Sequence, residues 1–397
     1  MALVLASSSG LEGLDRTGIS PEELLAGTGL GATPGMSAPV ADEQVLAVTA
    51  EMRAFLDEHV HQKAADQVKL HELIEAIITA KTFALEFDDR TRTASEAFER
   101  RTGNCLSFSN LFVAMAREVG LKASFQEVDL PPDWTLDKDV FVLNRHVNVR
   151  VDLDPFGVHV VDFNIDDFRA SYTTREISDS RARAHYFNNM GVESMQAGDA
   201  ATAVACFRKA IADNDREFSP AWTNLGTLYL RLGHPAHAEA AYLQALRMDG
   251  DEVVAMSNLA GLYERRGDSK RAAAYRRRVT NHRMANPYYR YQRAREAYEA
   301  GDFDTAIGHL KFAVRRKRNE DQFSALMARC YLGKGNERKA RYWQERAREA
   351  AATGAPRRRY SGPGEPPPPA GSSSPSPVAA ATVVTSRGDL PRGGACA

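Results

Sequence analysis

Three side chains in this 397-residue chain have the types and the order needed for nucleophilic acyl chemistry: Cys105, His146 and Asp162. A histidine can draw the proton from a thiol and later return it to a leaving group. A carboxylate beside that histidine fixes its tautomer and stabilises its charged form. Attack by a Cys105 thiolate on a carbonyl would expel an amine or alcohol and leave a thioester, whose acyl group then passes to water or to an amine. Cys105 opens an apolar-faced helix, because Leu111, Phe112, Met115 and Val119 recur at three- and four-residue steps before Gly120 supplies a stop. The first N–H groups of a helix lack internal partners, so the backbone amides of Cys105 and Leu106 are the candidate oxyanion donors. The same peptide dipoles favour a thiolate there.

Bringing a histidine and an aspartate to that helix start requires a sheet. After Gly120 the apolar period changes to two. Ser124 to Val128 reads as a strand, followed by a Pro131-Pro132 loop containing Trp134. From Asn144 to Val151 the alternation is clean, with Val147, Val149 and Val151 on one face and His146, Asn148 and Arg150 on the other. Asp152 to Gly157 is turn chemistry and Val158 to Phe163 the returning strand. A hairpin centred on Asp154 would place residues whose numbers sum to 308 opposite one another, His146 and Asp162 among them, within reach of a side-chain hydrogen bond.

Upstream, Val45 to Val60 carries the spacing of an amphipathic helix over 42–61, and Leu70 to Ile78 that of a second over 66–81. Thr82 to Phe87 reads as a short extended stretch. Thr93-Ala94-Ser95-Glu96 is a capping box that starts a helix leading into the Cys105 loop. Residues 1–40, rich in Gly, Ala, Ser and Pro without a sustained period, read as a flexible leader.

The segment from about Thr93 to Phe163 resembles a transglutaminase-like core domain, a papain-like fold with a Cys, His, Asp triad. The matching pieces are the Gly103-Asn104-Cys105 turn with its helix ending in Val119-Gly120-Leu121, the strand Arg145-His146-Val147-Asn148-Val149, and the strand Val160-Val161-Asp162. The resemblance implies an α+β domain over 42–170 in which Cys105 is the nucleophile, His146 the general base and acid, and Asp162 the orienting carboxylate. No cofactor and no metal are expected, because the four cysteines form no CxxC and two of them lie inside helical repeats. The histidines at 59 and 61, two apart on a helix, do not share a face and make a poor metal pair.

From His185 onward the chain repeats itself. Gly198, Gly233, Gly267, Gly301 and Gly335 recur at steps of 35, 34, 34 and 34, and Ala203, Ala238, Ala272, Ala306 and Ala340 follow each glycine by five residues. That period is the period of tetratricopeptide repeats, and it predicts five helix pairs over 184–351, an all-α solenoid. The small residues are expected to let neighbouring helices approach closely. Arg290 and Arg293 stand where this repeat normally carries large apolar residues, which predicts a rotated helix or a local distortion. Beyond Ala352 the chain is too rich in Pro, Gly and Ser to fold and reads as a disordered tail over 352–397, with Cys396 exposed.

Formal net charge is only −1, but 253–350 holds 23 Lys and Arg against 11 Asp and Glu. This asymmetry points to an acidic partner or to a solvated basic face. Nucleic acid is not expected, because the run Arg315 to Arg318 has no interleaved aromatics. No stretch of 18 apolar residues predicts a membrane span. The opening residues lack the positive segment of a secretory signal, so the chain as written reads as cytoplasmic, or as periplasmic or cell-envelope if its start lies upstream. The expected function is amide hydrolysis or acyl transfer through a Cys105 thioester, on a protein or peptide recruited by the repeats. The alternative is a non-catalytic interaction scaffold.

Overall fold

The computed structural model describes residues 18–32, 36–78, 83, 85–129, 134–137, 140–143, 146–163, 173–354 and 382–386. Residues 1–17 and 33–35 of the expected leader, the Pro131-Pro132 loop, and the rest of the expected tail with Cys396 lie outside the described residues. Two compact units are present. One comprises 1–41, 133–144 and 180–285, the other 42–132, 145–179 and 286–397.

The chain opens with α1 (Pro21–Ala26), which packs with the repeats, and continues with α2 (Asp42–Val45), α3 (Ala50–His59) and α4 (Asp66–Ile78). The single helix expected over 42–61 is two helices. Thr49 is extended there, and its hydroxyl accepts the Met52 N–H at 3.2 Å, capping a new start. Strand β1 (Glu86–Phe87) runs parallel to β2 (Thr102–Gly103), with α5 (Ala94–Arg100) between them in sequence. Both halves of the Thr93–Glu96 capping box are made. Helix α6 (Cys105–Glu118) follows directly, and Val119 and Gly120 end it as its spacing requires.

The remaining strands are β3 (Lys122–Asp129), β4 (Trp134–Asp137), β5 (Val140–Leu143), β6 (His146–Asp152), β7 (Val158–Asp162), β8 (Thr173–Ile177) and β9 (Thr382–Ser386). They form a β4–β5 hairpin and an antiparallel sheet in the order β8-β3-β6-β7-β9. Strand β8 has no counterpart in the sequence reading. Nor has β9, a β-branched run within the stretch expected to be disordered, which pairs with the otherwise open edge of β7. The core between α6 and the sheet is aromatic: Phe163 packs against Phe108 and Phe112 at ring separations of 5.5 and 6.1 Å.

The repeats are α7 (Asp179–Gln196), α8 (Ala200–Arg208) with a π-helical turn at Lys209–Asn214, α9 (Ser219–Arg231), α10 (Pro235–Met248), α11 (Val253–Arg265), α12 (Ser269–Ala285), α13 (Pro287–Glu299), α14 (Phe303–Arg316), α15 (Asp321–Gly333) and α16 (Glu337–Gly354). Ten helices thus follow one another from Asp179 to Gly354. The role of the periodic glycines differs from expectation. All five have φ between 68° and 84°, and a Cβ on any of them would meet nothing, so they serve left-handed turns rather than close packing. Close approach falls instead to Gly191, where a Cβ would lie 2.5 Å from the Phe207 ring, and to the fully buried periodic alanines. Arg290 is accommodated by chemistry: its guanidinium stacks on Phe312 at 4.6 Å and donates to His309 Nδ1 at 3.2 Å. Among the described residues no helix is long and apolar enough to cross a membrane.

Part of the expected leader is ordered. Ser20 caps α1, Gly27 ends it in the left-handed region, and Leu24 and Leu30 are buried. The Tyr229 hydroxyl of α9 donates to the Leu24 carbonyl at 2.9 Å, Arg208 donates to the Met36 carbonyl, and His237 meets Glu23 at 3.3 Å. Composition alone hides this, because two leucines suffice once a repeat surface is there to cover them. Leu24→Asp should therefore release the segment. Cleavage by a glutamate-specific protease after Glu22 or Glu23 should become roughly tenfold faster than in the parent. Equal protection in both proteins would show that Leu24 does not hold it.

Candidate active site

The site begins with how Cys105 is held. Asn104 is extended (φ −86°, ψ 177°) and its side-chain oxygen accepts the Ser107 N–H at 3.0 Å, which makes Cys105 the first residue of α6. The amides of Cys105 and Leu106 thus stand in the uncapped part of the first turn. Two residues earlier, a Cβ on Gly103 would lie 2.6 Å from the Ser107 Cβ, so only glycine lets the loop fold this tightly onto the helix. The segment 88–92 braces the loop from outside. Asn104 donates to Thr91 Oγ1 at 2.8 Å, its N–H reaches the Arg90 carbonyl at 3.1 Å, and the Arg92 N–H donates to Ser107 Oγ at 2.8 Å. Asp88 would read as a solvated turn residue. In the structure it takes a bidentate bond from Arg92, at 2.6 and 2.8 Å, and that guanidinium holds its carboxyl below the usual carboxylate range.

Ser109 joins the helix to the sheet. Its buried hydroxyl lies 2.9 Å from the Cys105 carbonyl and 3.1 Å from the Val147 carbonyl, one residue beyond His146. A small hydroxyl on the apolar face of α6 carries no motif, and this link was invisible in the sequence.

His146 and Asp162 meet, although not by the expected register. The β6–β7 pairs are Val149 with Val161 and Arg150 with Val160, so facing residues sum to 310 rather than 308. The turn closes one residue later, with the Leu153 N–H donating to the Gly157 carbonyl at 3.0 Å. A shift of two in the sum keeps every side chain on its face, whereas an odd shift would have sent Asp162 to the other side. His146 and Asp162 are therefore diagonal neighbours, and Asn148 takes the place directly opposite Asp162. His146 Nε2 donates to Asp162 Oδ2 at 2.7 Å, and Asn148 Nδ2 donates to the same oxygen at 2.7 Å. Asp162 and Asn148 are fully buried.

Nε2 is engaged by Asp162, and the half-buried Cys105 acts on the same ring. Burial works against the imidazolium, but hydrogen bonds to Asp162 and Cys105, with their negative charge, outweigh it and raise His146 to about 10. The other two described cysteines contrast with this. Burial pushes Cys206 up to about 12 and Cys330 up to about 11. His159 lies at an odd separation from Asp162 on β7, hence on the opposite face, and burial lowers its pKa. His59 binds the Phe55 carbonyl and His61 binds Glu72, so the two serve different partners. Among the described residues no group of three or more His, Cys, Asp or Glu is placed to hold a metal ion.

The profile of the transglutaminase-like superfamily core matches residues 53–162, which contain Cys105, His146 and Asp162. A tetratricopeptide repeat profile matches 223–283 and 291–356. The chain carries a transglutaminase-like domain and tetratricopeptide repeats. The transglutaminase-like domain is the α+β part, and the helices that follow it are the repeats. A stretch of 117 residues is 31% identical to cellulose synthase operon protein C of Xanthomonas axonopodis pv. citri (strain 306), covering 28% of this chain and 8% of that protein. The chain thus spans a small fraction of that relative's length. Among solved structures, MamA is similar at 18% identity over 46% of this chain and 98% of its own, with a TM-score of 0.24. YrrB, described as a tetratricopeptide protein with an unusual peptide-binding site, is similar at 18% identity over 43% of this chain and 87% of its own, also at 0.24.

Proposed function

We propose that the transglutaminase-like domain is a cysteine-dependent acyl-transfer or amide-hydrolysing enzyme acting on a protein or peptide that the repeats recruit. The observation that carries this reading is the buried hydrogen bond between His146 and Asp162 at 2.7 Å, with Cys105 at the start of α6 acting on the same ring and supporting its charged form. Moving the thiol proton onto such a ring leaves a thiolate beside an imidazolium at neutral pH. The thiolate adds to a substrate carbonyl, whose oxygen then faces the Cys105 and Leu106 amides. Collapse breaks the acyl C–N bond, His146 gives its proton to the departing amine, and a Cys105 thioester remains. His146, now neutral, takes a proton from water or an incoming amine as it attacks, and the thiol is restored. Repeats of this kind bind peptides along their surface, and the basic excess over 253–350 suits an acidic one.

The test is casein with a fluorescent primary amine, read for amine incorporation, ammonia release and new N-termini, in the parent and in Cys105→Ala. At least one signal should appear in the parent and vanish in the variant. If the parent matches Cys105→Ala in all three, while charge reversal at Arg276, Arg277 and Arg278 of α12 abolishes partner capture, the domain is a scaffold and the enzymatic reading fails.

A further inference from the structure

Asn148 and Gln126 share a row of the sheet with Asp162. Asn148 on β6 faces Asp162 on one side, and β3 places Gln126 directly opposite it on the other. Both are buried, Asn148 completely and Gln126 at 3% exposure. Two atoms of this row lack a partner: the Asn148 side-chain oxygen and the Gln126 side-chain nitrogen. One is an acceptor and the other a donor, on cross-strand partners whose β-carbons are about 5 Å apart. Buried polar groups are seldom left unpaired without cost.

The orientation of Asn148 is dictated by the carboxylate. Its NH2 group must face Asp162 Oδ2, because the reverse would set two oxygens against each other inside the protein. That leaves its oxygen without a donor, while Gln126, directly opposite on β3, carries an N–H that likewise lacks an acceptor. We propose that Asn148 and Gln126 form a positioning pair: Asn148 pins the Asp162 carboxylate against His146, and Gln126 keeps Asn148 turned with its nitrogen toward Asp162. Asn148 touches neither the sulfur nor any substrate, so it acts through Asp162. The pair supplies what a diagonal contact lacks. Diagonal neighbours are about 7–8 Å apart at their α-carbons, and the Asn148 donor adds a hold on the carboxylate beside the His146 contact. The inference rests on the acyl-transfer reading for its purpose but not for its test.

The test is titration of carbon-13-labelled histidines by NMR in the full chain, which reads His146 without any thiol chemistry. Among the described residues, the titratable groups that act on His146 are Asp162 from β7 and Cys105 from α6, and neither is altered. Asn148→Leu should lower the His146 midpoint by about one pH unit or more, a tenfold loss of imidazolium at a given high pH. Gln126→Met should lower it by less, in the same direction. Asn148→Thr, whose hydroxyl can still donate to Asp162, should recover much of the loss. A folded Asn148→Leu with its midpoint within about 0.3 unit of the parent overturns the proposal. If that variant does not fold, an unchanged midpoint in Gln126→Met overturns it equally. A Cys105 that proves unreactive in a parent whose His146 midpoint still responds as stated would sink the enzymatic reading and leave the positioning pair supported.

Discussion

Iodoacetamide should alkylate Cys105 at neutral pH at least about 100-fold faster than Cys206 or Cys330, and His146→Ala should erase most of that advantage. The physical basis is the fraction of thiolate. Cys206 and Cys330 are pushed up to about 12 and 11 by burial, so almost none of either sulfur is ionised at pH 7. Cys105 instead faces a ring raised to about 10, which stays protonated through the neutral range and stabilises the sulfur's negative charge. The sign follows from that direction. Raising a histidine favours its charged form, so the imidazolium persists through neutral pH up to the His146 midpoint. The alkylation rate of the parent should accordingly be nearly flat across neutral pH. In His146→Ala it should climb with pH toward the ordinary thiol range, about 8.5. Peptide-resolved mass spectrometry reads all three sulfurs in one sample. Slow, equal labelling of Cys105 in parent and variant would defeat the idea of an activated nucleophile.

Asp162→Ala should cost about 3–5 kcal/mol in the stability of the transglutaminase-like domain, because it strips the partner from a buried histidine and a buried carboxamide together. His146 Nε2 and Asn148 Nδ2 donate to one oxygen of this completely buried carboxylate. Asp162→Asn separates structure from chemistry. The carboxamide retains one acceptor and nearly the same volume, so stability should return in part. The negative charge is gone, so His146 should titrate lower and Cys105 alkylation at pH 7 should stay depressed by at least about tenfold. Hydrogen exchange in β6 and β7 monitors stability locally, which matters in a chain of two units that need not unfold together. Full Cys105 reactivity in Asp162→Asn would remove the charge from the account and leave Asp162 a packing role.

The division between what sequence and structure each contributed can be drawn at particular residues. The helical repeats were legible because a 34-residue period of small residues survives any uncertainty about individual helix ends. The placement of Cys105 at a helix start, His146 on an alternating strand and Asp162 on the returning strand was legible because these are local patterns. Even the misjudged turn did no harm, since a shift of two keeps the same face toward the site. Tertiary structure alone decided the pairings. Asn148 stands opposite Asp162, Gln126 opposite Asn148, and Ser109 between the Cys105 and Val147 carbonyls. Tertiary structure also decided the fate of Leu24, whose flanking composition reads as a loose leader until Tyr229 and its neighbours cover it. Local periodicity says which face a side chain occupies. Only the closed sheet and the stacked helices determine what stands across from it, and hydrogen bonds depend on that second fact.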